Sequence, residues 1–186
     1  LLDFYRGGDE GRALYDAVYR FVKGVWVPSG ENKFEPITPI ERDVSRNLAL
    51  ASRGAVVHGA VEQPQWGDDI TAEKMIDGDV YFYGGMSGFT AFYIPGSVII
   101  ELPEVATVAR TQVMLFDLDA RFFRYQIDTS IDGEHWEPAV DKSEGEWRGW
   151  QVDRFEPREA KYVRFTCLYN SANSICQVVE LEVYPD

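Results

Sequence analysis

The stretch that most constrains the fold runs from Phe122 to Ala139 and reads FFRYQIDTSIDGEHWEPA. From Phe123 to Ser130, apolar and aromatic residues alternate with polar ones, which is typical of a strand that buries one face and exposes the other. The Asp132-Gly133 pair then favours a tight hairpin turn, because glycine reaches positive φ at little cost. We expect Trp136, which follows the turn, to plug one end of a sheet packing. The stretch therefore predicts a strand, a turn and a second strand.

The chain beyond Arg46 continues in the same manner. Apolar and polar residues alternate again in residues 98–102, 162–165 and 179–183, and turn residues recur about every ten positions. Many short strands separated by turns are typical of a sandwich or a barrel. We predict one all-β domain over residues 46–186.

Residues 1–45 have a different character. Gly7-Gly8-Asp9-Glu10 places acidic residues at the start of a segment whose apolar residues recur at helical spacing. Gly24 and Pro28 are plausible stop signals for that helix, and residues 29–45 are charged and proline-containing, like an extended connector. We interpret residues 1–45 as an N-terminal helix and linker, which either pack on the domain or end a preceding one.

The charge balance limits the classes of partner. The chain carries 18 Lys and Arg against 31 Asp and Glu, a formal net charge of −13. Such a surface repels nucleic-acid phosphates and anionic lipid headgroups. No apolar run has the length needed to cross a bilayer, and the first residues lack the basic and apolar regions of a secretion signal.

Cys167 and Cys176 flank the segment LYNSANSI. They either pair across a hairpin or act as two small buried apolar side chains. Their spacing does not match a zinc site, since no second pair or nearby histidine supports it.

An ordered set of short motifs resembles the discoidin family, also called the coagulation factor V/VIII type C domain, which includes the family 32 carbohydrate-binding modules. The set consists of NLA at 47–49, MIDGD at 75–79, IELP at 100–103, the central hairpin, FEP at 155–157, AKYVR at 160–164 and VELEVY at 179–184. The resemblance covers residues 45–185. It implies an eight-stranded antiparallel jelly-roll β-sandwich of the galactose-binding-like type, with neighbouring chain ends and a binding site in loops at one end. It also implies an extracellular or periplasmic protein.

Several loops combine aromatic and polar side chains, as sugar sites do: a ring stacks on the sugar face while polar groups hold the hydroxyls. The predicted ligand-binding residues are His58, Trp66, Asp117, Arg121, Tyr169 and Asn170. Trp66 has the best claim to exposure because Gln, Pro, Gly and Asp surround it, and the resemblance implies a ligand-binding role for Arg121. The alternatives are a half-buried His58, an Asp117–Arg121 surface salt bridge and aromatic residues that belong to the core.

Asp77-Gly78-Asp79 offers hard oxygen ligands on a tight turn, which suits calcium. The resemblance implies a structural Ca²⁺ at this turn, with Asp77, Asp79 and Glu180 as ligands. The alternative is an Asp-Gly turn without metal. The continuation VYFYGGMSGFT departs from the family's usual Thr and Trp pattern.

The sequence favours a non-catalytic carbohydrate-binding module, an accessory domain that binds a terminal sugar such as galactose. The first alternative is a protein–protein interaction module that uses the same loops. Membrane binding is disfavoured by the charge. An enzyme is disfavoured because the sequence contains no nucleophile elbow, metalloprotease helix or phosphate-binding loop.

Overall fold

A computed structural model describes residues 40, 42–59, 70–80, 88–116 and 121–186, together with the backbone of residues 26–28 and 34–36. Within this part the chain forms nine strands and three short 3₁₀ helices. The strands are β1 (Trp26–Pro28), β2 (Phe34–Pro36), β3 (Val56–His58), β4 (Thr90–Tyr93), β5 (Gly96–Leu115), β6 (Phe123–Ser130), β7 (Glu137–Trp147), β8 (Trp150–Asn170) and β9 (Ile175–Tyr184). The 3₁₀ helices are Val44–Arg46, Ala51–Arg53 and Ala72–Ile76.

Strands β5 and β8, with 20 and 21 residues, are more than three times as long as ordinary strands of about five to six residues, and they run side by side through both layers of the fold. Their pairing is interrupted between Glu101 and Ala106, where both strands turn a corner. Pro103 lies on β5 at this corner, where a residue without an N–H loses no ladder bond. Pro157 lies on β8 at a second interruption, between the pairs Val108–Arg158 and Arg110–Arg154. Each strand therefore contributes its two halves to two facing sheets.

The first layer has the order β4-β9-β5-β8, with the later half of β5 and the earlier half of β8. The second layer has the order β3-β5-β8-β6-β7 and uses the remaining halves. All pairings are antiparallel. The predicted all-β antiparallel sandwich is confirmed.

The core lies between the two layers and is built by the alternation that the sequence displays. On β6, Phe123, Tyr125 and Ile127 are fully buried. Tyr125 stacks on Phe165 of β8 at a centroid distance of 5.1 Å, and Phe92 of β4 meets the same ring edge-on at 6.5 Å. These three rings join the layers.

The sandwich has two distinct ends. At the terminal end, an ion pair of 2.8 Å joins Arg46 to Asp186, so the two ends of the predicted β-domain are neighbours. At the opposite end, here called the loop end, four connections come together. They are residues 93–96, 121–123, 147–150 and 170–175.

The predicted central hairpin is confirmed, with Gly133 at φ +78° in the turn between β6 and β7. The expectation for Trp136 is wrong. Its ring lies 4.2 Å from the guanidinium carbon of Arg164, whose partner Asp128 points outward from β6. The turn folds Trp136 back over the outer face of the second layer, where a cation attracts the face of an indole ring.

The predicted N-terminal helix falls outside the described residues, and the boundary between residues 45 and 46 stays a prediction. Trp26–Pro28 and Phe34–Pro36 pair as a small hairpin, so the predicted connector contains strand β2. Ile40 packs against the core, and Arg42 reaches Glu182 of β9. In the part of the chain that the structure describes, no helix is long and apolar enough to span a bilayer.

Candidate functional site

The loop end carries an exposed aromatic ledge formed by Phe122, Tyr169 and Arg124. The two rings lie 5.6 Å apart between centroids and are tilted by 40°. The guanidinium carbon of Arg124 lies 5.1 Å from the Tyr169 ring and 5.8 Å from the Phe122 ring. Tyr169 remains 41% exposed. The ledge thus presents the exposed Tyr169 ring, with the Phe122 ring tilted against it, beside a group of N–H donors.

A β-bulge turns Tyr169 outward. Tyr125 pairs with Cys167, but Arg124 pairs with Tyr169, so Leu168 is an extra residue on β8. An extra residue re-aims the side chains that follow it. Arg124 lies on β6, the neighbouring strand of the same sheet. Its Nε donates a 3.1 Å hydrogen bond to the Gly145 carbonyl, which fixes the side chain.

Hydrogen bonds join two connections of the loop end, residues 121–123 and 170–175, next to the ledge. The Phe122 N–H donates to Ser171 Oγ at 3.0 Å, and the Ser171 N–H donates to the Phe122 carbonyl at 3.0 Å. These reciprocal bonds fix the Phe122 backbone against the turn that follows Tyr169. The ledge is therefore preorganised, which lowers the entropy lost when a ligand binds.

Asn170, a predicted ligand-binding residue, is buried next to the ledge and holds this turn together. Its Nδ2 donates to the Ile175 carbonyl at 2.7 Å and to Asn173 Oδ1 at 3.1 Å. Its Oδ1 accepts from the Ala172 N–H at 2.8 Å. Both amide hydrogens are in use, which leaves one Oδ1 lone pair for a ligand.

Arg121, also predicted to bind ligand, enters the loop end from the side of the first layer. Its Nη1 donates to Gln177 Oε1, and its guanidinium carbon lies 4.4 Å from the Phe116 ring. Phe116 in turn meets Phe89 edge-on at 5.7 Å. The structure thus brings Arg121, Tyr169 and Asn170 to the same end of the sandwich.

His58 lies elsewhere. It sits on β3 with its side chain 50% exposed, and its Nε2 is 2.8 Å from Glu101 Oε2. The hydrogen bond from His58, together with Lys161, lowers the pKa of Glu101. His58 is level with Arg164, five residues before Tyr169 on β8, a separation of roughly 16 Å along the strand. Trp66 and Asp117 fall outside the described residues.

Sequence reasoning missed Arg124, and it left Phe122 among the aromatic residues that either line a loop or belong to the core. A signal for Arg124 was present, because it stands between buried Phe123 and Tyr125 and so must point outward. No local signal places Tyr169 opposite it, since that pairing depends on the bulge in β8.

The structure also brings the predicted calcium ligands Asp77 and Glu180 together on the outer face of the first layer. The Gly78 N–H donates to Glu180 Oε2 at 3.2 Å, and the Asp79 N–H donates to Asp77 Oδ1 at 2.9 Å. Burial raises the pKa of Glu180 well above its usual range, with further contributions from Glu182 and Asp77. Burial likewise raises the pKa of Asp77.

The fit of a metal to this turn can be judged from the donors around it. Asp77 already forms an ion pair with Lys74, in which Oδ2 lies 3.5 Å from Nζ. Arg42 Nη2 lies 3.4 Å from the Gly78 carbonyl oxygen, the type of oxygen that calcium uses. Among the residues that the structure describes, no set of three or more His, Cys, Asp or Glu side chains is arranged to hold a metal ion.

Comparison with known proteins shows which family the chain matches and which proteins it resembles. Residues 57–181 match the model of the F5/8 type C domain. The chain is 32% identical over 114 residues to the BTB/POZ domain-containing protein 9 of Drosophila melanogaster, which covers 59% of the chain and 16% of that protein. It is 25% identical over 109 residues to the Homo sapiens protein of the same name, covering 58% of the chain and 18% of that protein. The chain thus spans less than a fifth of the length of these relatives.

Solved structures share the fold. A chitosan-binding module of a Paenibacillus chitosanase/glucanase matches with a TM-score of 0.57 and 23% identity, over 74% of this chain and 98% of that one. A family 32 carbohydrate-binding module of Clostridium perfringens, in complex with GalNAc-β-1,3-galactose, matches with a TM-score of 0.58 and 17% identity, over 74% and 99%. A family 32 module in complex with 4,5-unsaturated mannuronic acid matches with a TM-score of 0.58 and 17% identity, over 70% and 95%. At these identities the likeness establishes the fold alone.

Proposed function

Because this chain belongs to the F5/8 type C domain family, we propose that it is a non-catalytic module that binds carbohydrate at its loop end. The observation that carries the proposal is the aromatic ledge. Tyr169 offers an exposed aromatic ring, flanked by Phe122, at an end of the sandwich where polar groups converge, the combination that holds a sugar ring.

In this proposal Tyr169 stacks on the C–H face of a sugar ring, and Arg124 donates to hydroxyl or carboxylate oxygens at the ring's edge. The Arg124 Nε is held by the Gly145 carbonyl, so the forked end of the guanidinium is oriented by that bond and by the two rings. Arg121 and Asn170 border the same end, and Trp66 and Asp117 stay predicted members of the site. His58 would belong only to a ligand long enough to reach across the second layer.

The solved structures with this fold bind chitosan, GalNAc-β-1,3-galactose and mannuronic acid, which supports a glycan as the class of ligand. Within a larger protein, such a module would raise the local concentration of its neighbours on the glycan. This role would agree with the predicted extracellular or periplasmic location.

A protein partner at the same ledge is the second candidate. The observation that favours it is that the curated relatives are named for a BTB/POZ domain and not for a glycan. A protein ligand would need apolar contact beyond one ring pair, and Tyr93 on the same end supplies a further exposed ring.

A glycan array with the purified chain tests the proposal, with Tyr169→Ala and Trp66→Ala run beside the wild type. Binding to one sugar family that falls at least tenfold in Tyr169→Ala would support it. Ile131→Ala is the matched control, because Ile131 is 55% exposed at the terminal end and its truncation should leave binding unchanged. Absence of binding to every glycan by the folded wild type would overturn the carbohydrate proposal and direct attention to a protein partner.

A further inference from the structure

Arg42 brings a guanidinium to the turn for which the family resemblance implies calcium. We propose that Arg42 supplies the positive charge at the Asp77-Gly78 turn, so that this domain holds the turn without a divalent cation. This inference is independent of the ligand bound at the loop end.

The first support is the pair that Arg42 forms with Glu182. Arg42 Nε and Nη2 lie 2.8 Å and 2.6 Å from Glu182 Oε1. The second oxygen, Oε2, accepts from the Tyr184 hydroxyl at 3.0 Å. Glu182 is fully buried and the Arg42 side chain is only 20% exposed, so the carboxylate is satisfied inside the protein.

The second support is that the same guanidinium reaches the turn. Arg42 Nη2 donates to the Gly78 carbonyl at 3.4 Å, while the Gly78 N–H donates to Glu180 Oε2 at 3.2 Å. Arg42 thus links the Glu182 carboxylate of β9 to the backbone of the turn, as a bound metal ion would. The Trp150 ring, 5.1 Å from the Arg42 guanidinium carbon, packs against it and limits its movement.

The third support is that cations already occupy carboxylates at this turn. Arg42 pairs with Glu182 and Lys74 pairs with Asp77, so an incoming divalent ion would have to compete with two positive side chains for these oxygens. Glu180 Oε1 is a buried carboxylate oxygen of this group without a hydrogen-bond partner. Calcium takes six to eight oxygen ligands, whereas the described residues at this turn provide no set of three or more acidic side chains arranged to hold an ion.

Thermal unfolding of the full chain in millimolar calcium chloride and in EDTA tests the proposal. We expect the same Tm in both solutions, and less than a tenth of an equivalent of calcium by elemental analysis of the purified protein. A Tm several degrees higher with calcium, or one equivalent of calcium retained through purification, would overturn it.

Variants of Arg42 test the second part of the proposal, that Arg42 supplies the positive charge which stabilises the turn. Arg42→Gln leaves Glu182 buried and unpaired and should lower the Tm by roughly 10 °C. The double variant Arg42→Gln, Glu182→Gln should recover most of that loss, because it removes the unpaired charge. Arg46→Gln is the control, since the Arg46–Asp186 pair is exposed, and its Tm should fall by less than about 3 °C.

An unchanged Tm in Arg42→Gln would contradict the proposal. Should Arg42→Gln not fold, Arg42→Lys serves instead, because it keeps the charge but loses the fork that spans Glu182 and Gly78. Its Tm should lie below that of the wild type and still be insensitive to EDTA. A Tm of Arg42→Lys that rises with calcium would count against the proposal.

Discussion

The Oδ1 atom of Asn47 accepts a 3.0 Å hydrogen bond from the backbone N–H of Val183, 136 residues further along the chain. The same oxygen accepts from the Ala49 N–H at 3.0 Å. Leu48 adds a backbone bond of 2.8 Å to the Val183 carbonyl. Asn47 is fully buried, so one side-chain oxygen fastens the start of the domain to its last strand.

Replacing Asn47 by Ala should destabilise the domain strongly. The change leaves two buried backbone N–H groups without an acceptor, and each such group costs about 1–3 kcal/mol. We expect a loss of about 2–4 kcal/mol in the free energy of unfolding, measured by urea denaturation. Ser52→Ala, at an exposed position nearby, is the control and should change stability by less than about 0.5 kcal/mol. Equal stability of both variants would show that other groups take over the two N–H donors.

The turn after β6 should make stability depend on pH through Asp132. The His135 N–H, the His135 ring and the Glu134 N–H hold the pKa of Asp132 well below its usual range. A folded-state pKa below the unfolded value of about 3.9 adds stability above that pH and removes it as the pH falls. Asp132→Asn keeps the side-chain acceptor but cannot ionise. Its Tm should therefore lie below the wild-type Tm at pH 7, and the gap should close as the pH falls below about 4.

Tm profiles between pH 2 and pH 8 would check this prediction. Glu104→Gln is the control, because Glu104 is an exposed carboxylate at the corner of β5. A gap between wild type and Asp132→Asn that stays constant at every pH would contradict the assignment.

Lys142 and Asp153 form an ion pair of 2.8 Å in which both side chains are mostly buried, 12% and 10% exposed. Asp153 also accepts from the Tyr125 hydroxyl at 2.8 Å. Lys142→Met should cost about 2–4 kcal/mol, because it leaves the carboxylate buried without its cation. Tyr125→Phe should cost about 1 kcal/mol, since it removes one hydrogen bond and keeps the ring.

A double-mutant cycle with Asp153→Asn separates the two effects. If the pair behaves as the geometry indicates, Lys142→Met should cost much less in the Asp153→Asn background than in the wild type. Equal costs in both backgrounds would mean that Lys142 acts through its packing on Trp147, whose ring centroid lies 4.2 Å from Nζ.

The two cysteines should resist chemical modification in the folded protein. Cys167 and Cys176 are free and buried, which matches the second of the two alternatives that the sequence left open. Burial, with the neighbouring Cys167 thiol, raises the pKa of Cys176 well above its usual range. Because both thiols are buried, and the reactive thiolate form of Cys176 is disfavoured, both side chains should react slowly with iodoacetamide at pH 8 and fast in urea. Mass spectrometry counts the modified residues, and rapid alkylation of native protein would refute the prediction.

Much of the second layer could be predicted from sequence because its signals are local. The alternation in β6 identifies buried Phe123 and outward Arg124, and Asp132-Gly133 identifies the turn. The course of β5 could not be predicted in this way. Its alternation ends at Leu102, residues 103–105 are all exposed, and residues 108–115 are all buried, so no local pattern shows that one strand runs through both layers.

The candidate site was predicted in part for the same reason. Tyr169 was recognisable because it stands beside a polar turn, but its neighbour Arg124 belongs to a different strand. His58 carries a plausible residue type for sugar binding, yet its position depends on the order of strands in the sheet, which no local pattern encodes. Asn170 shows a further limit, because a side chain that fits a ligand also fits the turn in which it lies.

The shared strands β5 and β8 have a consequence for how the domain comes apart. Because the same two backbones run through both layers, neither sheet can detach as a unit while the other survives. Loss of the β5–β8 hydrogen bonds in one layer would destabilise the hydrogen bonds that the same two strands form in the other layer. The sandwich should therefore lack a weaker half, and its slowest-exchanging amides on the two faces should open together, as one cooperative block.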